Sequence, residues 1–420
     1  MLERDGGMTT SETKRRRPGP VSERLVVGTS PRASIGTGVV LTAVAWLVSR
    51  TVITITWGPA RNLVEFNPYL WARWDSINYL AIAQDGRVFG RCGSPGEPAG
   101  NLARVTHETW CGNAGWLPGY PWLIHLLGFS GLSLQDAGLL ISWVAMAGAL
   151  FVAWWGWCRE LRAVRALLVL LLVGLFPGAV YNFAYFPTSL ALLGVVGALL
   201  AAARRHFLVA ALLMTLAGLC YPSAVFAAVG LAVGLMLVAV PLGGATVVRR
   251  GLWGLAGLCS LLVLGIHDQI AFGHADAFYL MDAAPGLRGR GFPGEGFLRM
   301  VLSRNTPEQR PIGRGGAIVL AVQGVLAVVL TVVAAVLTAV GWRRDRTPDV
   351  VYPALVGLAV IGGILVDQAI GGAWNRSVVL AAPCVLCLRR LPLPVLVVTT
   401  LAVGTVTALM SHSYFGGLLV

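Results

Sequence analysis

Long apolar runs recur from residue 35 to residue 411 with only short polar breaks, and few folds can accommodate that pattern. A helix on the surface of a soluble core needs one apolar stripe, whereas about 20 successive apolar residues read as a membrane crossing. At 56% hydrophobic and 12% charged, the chain has more apolar surface than a soluble domain can bury. The predicted fold class is therefore an all-α polytopic membrane protein. A net charge of +13 would suit a nucleic-acid partner. The arginines, however, fall in short clusters between the apolar runs, where they set orientation in a membrane. Nucleic acid is excluded on that ground, and membrane lipids are the expected surroundings. Seven cysteines are too few and too scattered for a disulfide scaffold. Lys14 is the single lysine, and with abundant Ala, Gly and Val the arginine bias points to a GC-rich bacterial genome.

Residues 1–33 are polar and rich in Arg, Pro, Ser and Thr, the composition of a disordered tail. Residues 34–420 read as one integral-membrane domain. The first apolar run, 35–57, is too long for a signal-peptide core and is taken as a retained span. About eleven helices are predicted, near 35–57, 136–157, 166–180, 187–203, 207–221, 223–241, 251–268, 314–341, 350–369, 374–388 and 391–411. Several are shorter than the roughly 20 residues a span needs, so tilted, broken or partly crossing elements are expected among them. Lys14 to Arg17, Arg159 to Arg165, Arg204-Arg205, Arg249-Arg250, Arg343 to Arg346 and Arg389-Arg390 all fall on one side of this map. The positive-inside rule makes that side cytoplasmic, with the N-terminus. The C-terminus and two long segments, 58–135 and 269–313, are then extracytoplasmic. Loops of that length in a compact protein are usually functional, and both are expected to bear short juxtamembrane helices. The localisation read from this is a bacterial plasma membrane, and the chain is expected to act as a monomer.

The first of these segments contains Trp71-Ala72-Arg73-Trp74-Asp75-Ser76-Ile77-Asn78-Tyr79-Leu80-Ala81-Ile82-Ala83. It sets a carboxylate, an arginine and two tryptophans just beyond the first span, and ionisable clusters at a membrane face are costly and usually functional. Asp75 has the chemistry of a general base that takes the proton of an acceptor hydroxyl. One carboxylate suffices for an inverting glycosyl transfer, unlike the paired acids of retaining hydrolases. Trp71 and Trp74 could anchor at the interface or stack on a sugar or lipid. The residues alone leave a second role open, in which Asp75 caps a short helix from Ser76 to Ala83.

The pattern Arg73-Trp74-Asp75-Ser76-x-x-Tyr79-Leu80-x-Ile82-Ala83 resembles the signature of PIG-V-type mannosyltransferases. Trp116-Leu117-Pro118-Gly119-Tyr120-Pro121 is similar to that family's Phe-x-Pro-Leu-Tyr-Pro element, a short re-entrant or interfacial helix. Phe176-Pro177-Gly178-Ala179 resembles the end of its third span. Tyr185-Phe186-Pro187-Thr188-Ser189-Leu190 falls where the family has Tyr-x-Glu-Ser-Leu, with Thr188 in place of the acid. Tyr221-Pro222-Ser223 stands at Arg-Pro-Thr, Gly86-Arg87 at a usual Gly-Tyr, and Asn375-Arg376-Ser377 at a late arginine. The resemblance implies a GT-C glycosyltransferase that takes sugar from a polyprenyl-phosphate donor. Asp75 would be catalytic, and Arg73, Trp74, Tyr79 and Tyr120 would contact substrate.

Arg376 stands alone at the outer end of the tenth predicted span, against the arginine trend, and its planar fork suits phosphate oxygens. A headgroup-snorkelling arginine is the alternative. The second outer segment adds His274, Asp276, Arg288 and Arg290. The run from Gly286 to Gly291 could close over a phosphate, and His274 with Asp276 could orient substrate, though their spacing matches no metal motif. Cys92 and Cys111 share the first outer segment, where an oxidising compartment would allow a bridge. Cys384 and Cys387 have redox spacing but lie inside an apolar span, as packing residues.

The function expected from these residues is extracytoplasmic transfer of a sugar, mannose first, to a glycolipid or envelope glycan. The leaving group is already a phosphate, so neither cofactor nor metal is required. Arabinofuranose is an alternative sugar. A transporter or flippase of lipid-linked sugars is the alternative outside enzymology, but it would need polar groups through the bilayer midplane.

Overall fold

Lipid offers a backbone no hydrogen bonds, so an apolar chain must satisfy its peptide groups internally. The computed structural model is accordingly helical almost throughout. It describes residues 33–55, 71–73, 75–91, 110–282, 294–302, 313–342, 348–367 and 372–415, all within one compact unit, Ala33–Val420. The protein is a polytopic membrane protein. Among the described residues seven helical stretches are long and apolar enough to cross: Ile35–Ile55, Leu134–Cys158, Ala224–Leu242, Gly244–Phe272, Ile318–Trp342, Pro348–Asp367 and Leu393–Phe415.

The other four predicted spans exist as elements but are not simple crossing helices. Ala163–Gly174, Thr188–Ala203 and Phe207–Cys220 are apolar but short. The first of them ends before Pro177, and the segment from Leu175 to Phe186 runs through a left-handed turn at Gly178 and a 3₁₀ turn, Ala179–Asn182. All of this irregular stretch is buried, the one setting in which non-helical backbone is tolerated at membrane depth. The predicted helix at 374–388 is a short α-helix, Gly372–Ser377, followed by a 3₁₀ segment, Val378–Arg390, whose first eleven residues are all buried. Pro383 sits inside it, with no N–H to donate to an α-helical ladder. A 3₁₀ helix rises about 2.0 Å per residue against 1.5 Å. Its 13 residues therefore cover about 26 Å, and with the preceding six residues they reach the roughly 30 Å of a hydrocarbon core.

Arg159, Arg165, Arg204 and Arg389 gather at one end of the bundle; Lys14 to Arg17 and Arg343 to Arg346 lie outside the described residues. Arg159 Nε donates to Ala33 O at 3.3 Å, and Arg159 and Arg204 share the ring of Trp155 at 4.4 and 5.7 Å. Arg165 donates to Arg389 O at 3.1 Å, while Arg389 reaches Trp157 O at 2.9 Å and pairs with Asp349. The opposite end carries two short helices, α2 (Asp75–Asp85) and α3 (Gly119–Gly128), and helix α1 is Ile35–Ile55. Here too lies a small antiparallel hairpin, Phe89–Arg91 with Trp110–Gly112, which the helix-only reading did not contain. Strands of three residues leave no periodic signal to read.

Candidate functional site

Helix α2 exists because one face of it is buried and its start is tied down. Ser76, Tyr79, Ile82 and Ala83 recur at helical spacing and are buried, whereas Ile77 is exposed. Ahead of it the chain turns: Ser76 N–H donates to Arg73 O at 2.9 Å, and Arg73 N–H donates to Ser76 Oγ at 3.2 Å. The motif is then pinned to the last turn of the final helix, Leu393–Phe415. The Arg73 guanidinium donates to Phe415 O at 2.9 Å, and the Tyr414 hydroxyl donates to Trp71 O at 3.0 Å. Trp71 meets Phe415 edge-on at 5.1 Å.

Asp75 opens this helix, and its carboxylate forms an ion pair with Arg376, 301 positions later in the chain. Both side chains are mostly buried, Asp75 17% and Arg376 23% exposed. Arg376 is placed from behind. Ser223 Oγ donates to Ser377 O at 3.2 Å, and Tyr221 Oη lies 3.3 Å from Ser377 Oγ. Gly178 packs against the carbonyl of Asn375, and at φ 93° with that oxygen where a Cβ would go, only glycine fits. Trp374 is buried against Phe297 at 4.9 Å. The Asp75 carboxylate supplies the counter-charge that this mostly buried guanidinium needs.

Tyr79 lies one turn after Asp75, packed edge-on to Tyr120 at 5.7 Å and Phe186 at 6.1 Å. Burial first, and then the Asp75 charge, push its phenol well above the ordinary range, so it remains a protonated donor beside the ion pair. Tyr181 has a buried hydroxyl with no hydrogen-bond partner among the described residues.

The other predicted site residues divide by location. Tyr120 is fully buried, its hydroxyl 2.9 Å from Gly138 O and 3.0 Å from Ser142 Oγ. Arg73 is likewise engaged with the Phe415 carbonyl. His274 and Asp276, 3.8 Å apart and well exposed, belong to the hairpin cluster, where His274 packs on Trp110 at 4.9 Å. Cys111 is disulfide-bonded, and Cys158, Cys220, Cys259, Cys384 and Cys387 are free. Trp74, Cys92, Arg288 and Arg290 lie outside the described residues. Among the described residues no three His, Cys, Asp or Glu side chains are grouped so as to hold a metal ion.

Two arginines were missed in the sequence. Arg87 forms a buried ion pair with Asp268, and His267 Nδ1 lies 2.9 Å from the same carboxylate. Burial lowers the Arg87 pKa, and its hydrogen bond to Asp268 offsets part of that. The pair ties the first outer segment to the end of Gly244–Phe272. Its signals were Arg87 at a motif position otherwise held by tyrosine, and an acid inside an apolar run. Arg50, a charge within the first span, is the second.

No family profile and no curated protein matches the chain. Among solved structures it is similar to the oligosaccharyltransferase of Archaeoglobus fulgidus. For the apo form the TM-score is 0.47 at 11% identity, covering 90% of this chain and 56% of that one. For the complex with zinc and sulfate the values are 0.44, 12%, 89% and 53%. The chain thus spans little more than half the length of that protein.

Proposed function

We propose that this chain is a GT-C-type membrane glycosyltransferase that moves a sugar, mannose in the first instance, from a polyprenyl-phosphate donor to a glycolipid or cell-envelope glycan. The site would face the extracytoplasmic side of a bacterial plasma membrane, opposite the arginine clusters. The observation that carries the reading is the Asp75–Arg376 pair. Two residues from distant parts of the chain, one with the chemistry of a base and one with that of a phosphate ligand, form an ion pair at one end of the bundle, which supports this reading. The resemblance of the Arg73 to Ala83 motif to PIG-V-type enzymes supports the same chemistry.

In the proposed reaction the acceptor oxygen bonds to the anomeric carbon as the carbon–oxygen bond to phosphate breaks, with inversion. The hydroxyl proton passes to Asp75. The electron pair of the broken bond stays on the leaving phosphate, and Arg376 stabilises its growing charge. Before donor arrives, Arg376 neutralises Asp75. A lipid phosphate competes for the arginine fork, and drawing it away frees a carboxylate oxygen for the acceptor hydroxyl. The Tyr79 phenol is placed to donate to a sugar or phosphate oxygen. The scheme calls for no resident cofactor, because the leaving group is a phosphate and an arginine receives its charge.

The test is donor affinity, measured by tryptophan fluorescence on the purified protein with polyprenyl-phosphate mannose. A charge-assisted hydrogen bond contributes about 1.5–3 kcal/mol, so Arg376→Ala should weaken donor binding by about 10-fold or more. Arg376→Lys keeps the charge but loses the fork and should fall between the two. Wild-type affinity in Arg376→Ala would overturn the phosphate role, and a donor carrying arabinofuranose in the same titration tests the sugar.

A further inference from the structure

We propose that Arg50 forms a second site, for a lipid-borne phosphate, on the lipid-facing flank between α1 and the helix Leu134–Ala153. Arg50 lies five residues before the end of α1 nearest the Asp75–Arg376 pair, about 7 Å below it. An arginine inside a span is costly unless something meets its charge. No ion pair or hydrogen bond to its guanidinium occurs among the described residues, and its Nε is buried without a partner.

What holds it is two indoles. The guanidinium lies 4.4 Å from the Trp143 ring and 5.7 Å from the Trp46 ring. Both rings are fixed, since Trp46 Nε1 donates to Trp143 O at 3.2 Å and Trp143 Nε1 donates to Phe183 O at 2.9 Å. Stacking uses the face of a guanidinium and leaves its edge of N–H donors unspent. That edge is the part that matches phosphate oxygens.

On the same side of α1 lies Leu47, one turn before Arg50, and the neighbouring helix carries Leu140 and Val144, all exposed, an apolar track for an acyl or prenyl chain. Trp143 in turn touches Trp71 at 6.5 Å, which places the site next to the Asp75 motif. Arg159, at the other end of the bundle, stacks on Trp155 at the same 4.4 Å but spends its Nε on Ala33 O. It is therefore the matched control.

The phosphate could be carried by a polyprenyl chain or by an ordinary phospholipid, and two arms separate them. Native mass spectrometry of the detergent-solubilised full chain would measure retention of a C55 polyprenyl monophosphate and, separately, of phosphatidylglycerol. R50M and R159M are compared with wild type, with and without R376A. The R376A background removes the phosphate grip proposed above, so failure of that reading and failure of this one are told apart. The expected result is retention at least about 10-fold weaker in R50M for one of the lipids, in both backgrounds, with R159M unchanged. The lipid affected identifies the source. Equal retention of both lipids by wild type and R50M overturns the site, as does an equal loss in R159M. Should R50M fail to assemble, R50Q is read by the same criteria.

Discussion

Replacing Asp75 with Asn separates chemistry from scaffold, because transfer and unfolding report the two effects separately. Asn keeps the shape and a hydrogen-bonding oxygen but removes the charge and the basic atom. The guanidinium stays charged, so its bond to Asn remains charge-assisted and only the counter-charge is lost. With Asp75 17% and Arg376 23% exposed, the structural cost falls between about 1 kcal/mol for an exposed pair and about 3–5 kcal/mol for a fully buried one. In a chain of this size even the upper figure lowers Tm by about 6 °C or less. A general base contributes about 10²–10⁴-fold, which is about 2.7–5.4 kcal/mol at 1.36 per decade. Asp75→Asn should therefore insert and fold, and bind donor at least as tightly as wild type because Arg376 is released from its partner, while turnover falls at least about 100-fold. The assay is single-turnover transfer from radiolabelled polyprenyl-phosphate mannose in nanodiscs, with thermal unfolding of the same preparations alongside. Asp75→Glu moves the carboxylate by about a bond length and should also be severely impaired, since a displacement near 1 Å costs about 10²-fold. A helix-capping role predicts the reverse for Asn, which caps as well as Asp. Wild-type transfer by Asp75→Asn would refute the base, and a loss that merely follows the unfolded fraction would reduce the ion pair to a clasp.

Two further outcomes follow from the same structure. Asp268→Asn leaves Arg87 buried without its counter-charge and should destabilise the outer layer by about 3–5 kcal/mol, whereas the paired change Arg87→Met with Asp268→Leu should recover most of it. Thermal unfolding reads both, and a single-variant cost below about 1 kcal/mol would show that the pair is not structural. For sidedness, Ser130 and His206 are exposed at opposite ends of the bundle. In intact cells an impermeant maleimide should label Ser130→Cys and spare His206→Cys; the opposite pattern would invert the proposed orientation.

What could be read directly from the sequence was whatever depends on neighbours along the chain. Apolar runs of crossing length are a local property, because each helix closes its own hydrogen bonds and meets lipid by itself. The arginine clusters between the runs placed one face, and the structure gathers Arg159, Arg165, Arg204 and Arg389 at a single end. The motif from Trp71 to Ala83 marked Asp75, and an isolated Arg376 stood out against the charge pattern.

Only the tertiary structure decided that those two residues meet. Their separation of 301 positions carries no local signal, and Arg376 sits in the short helix Gly372–Ser377, from which the 3₁₀ segment runs on to Arg389 at the other end of the bundle. That segment read as an ordinary helix because composition does not distinguish a rise of about 2.0 Å from one of 1.5 Å. Tyr120 and Arg73 looked like substrate contacts in a motif, yet packing turned their polar atoms inward to Gly138 and Phe415. The Arg87–Asp268 pair was not legible at all, because a buried charge makes physical sense only once its partner is in view.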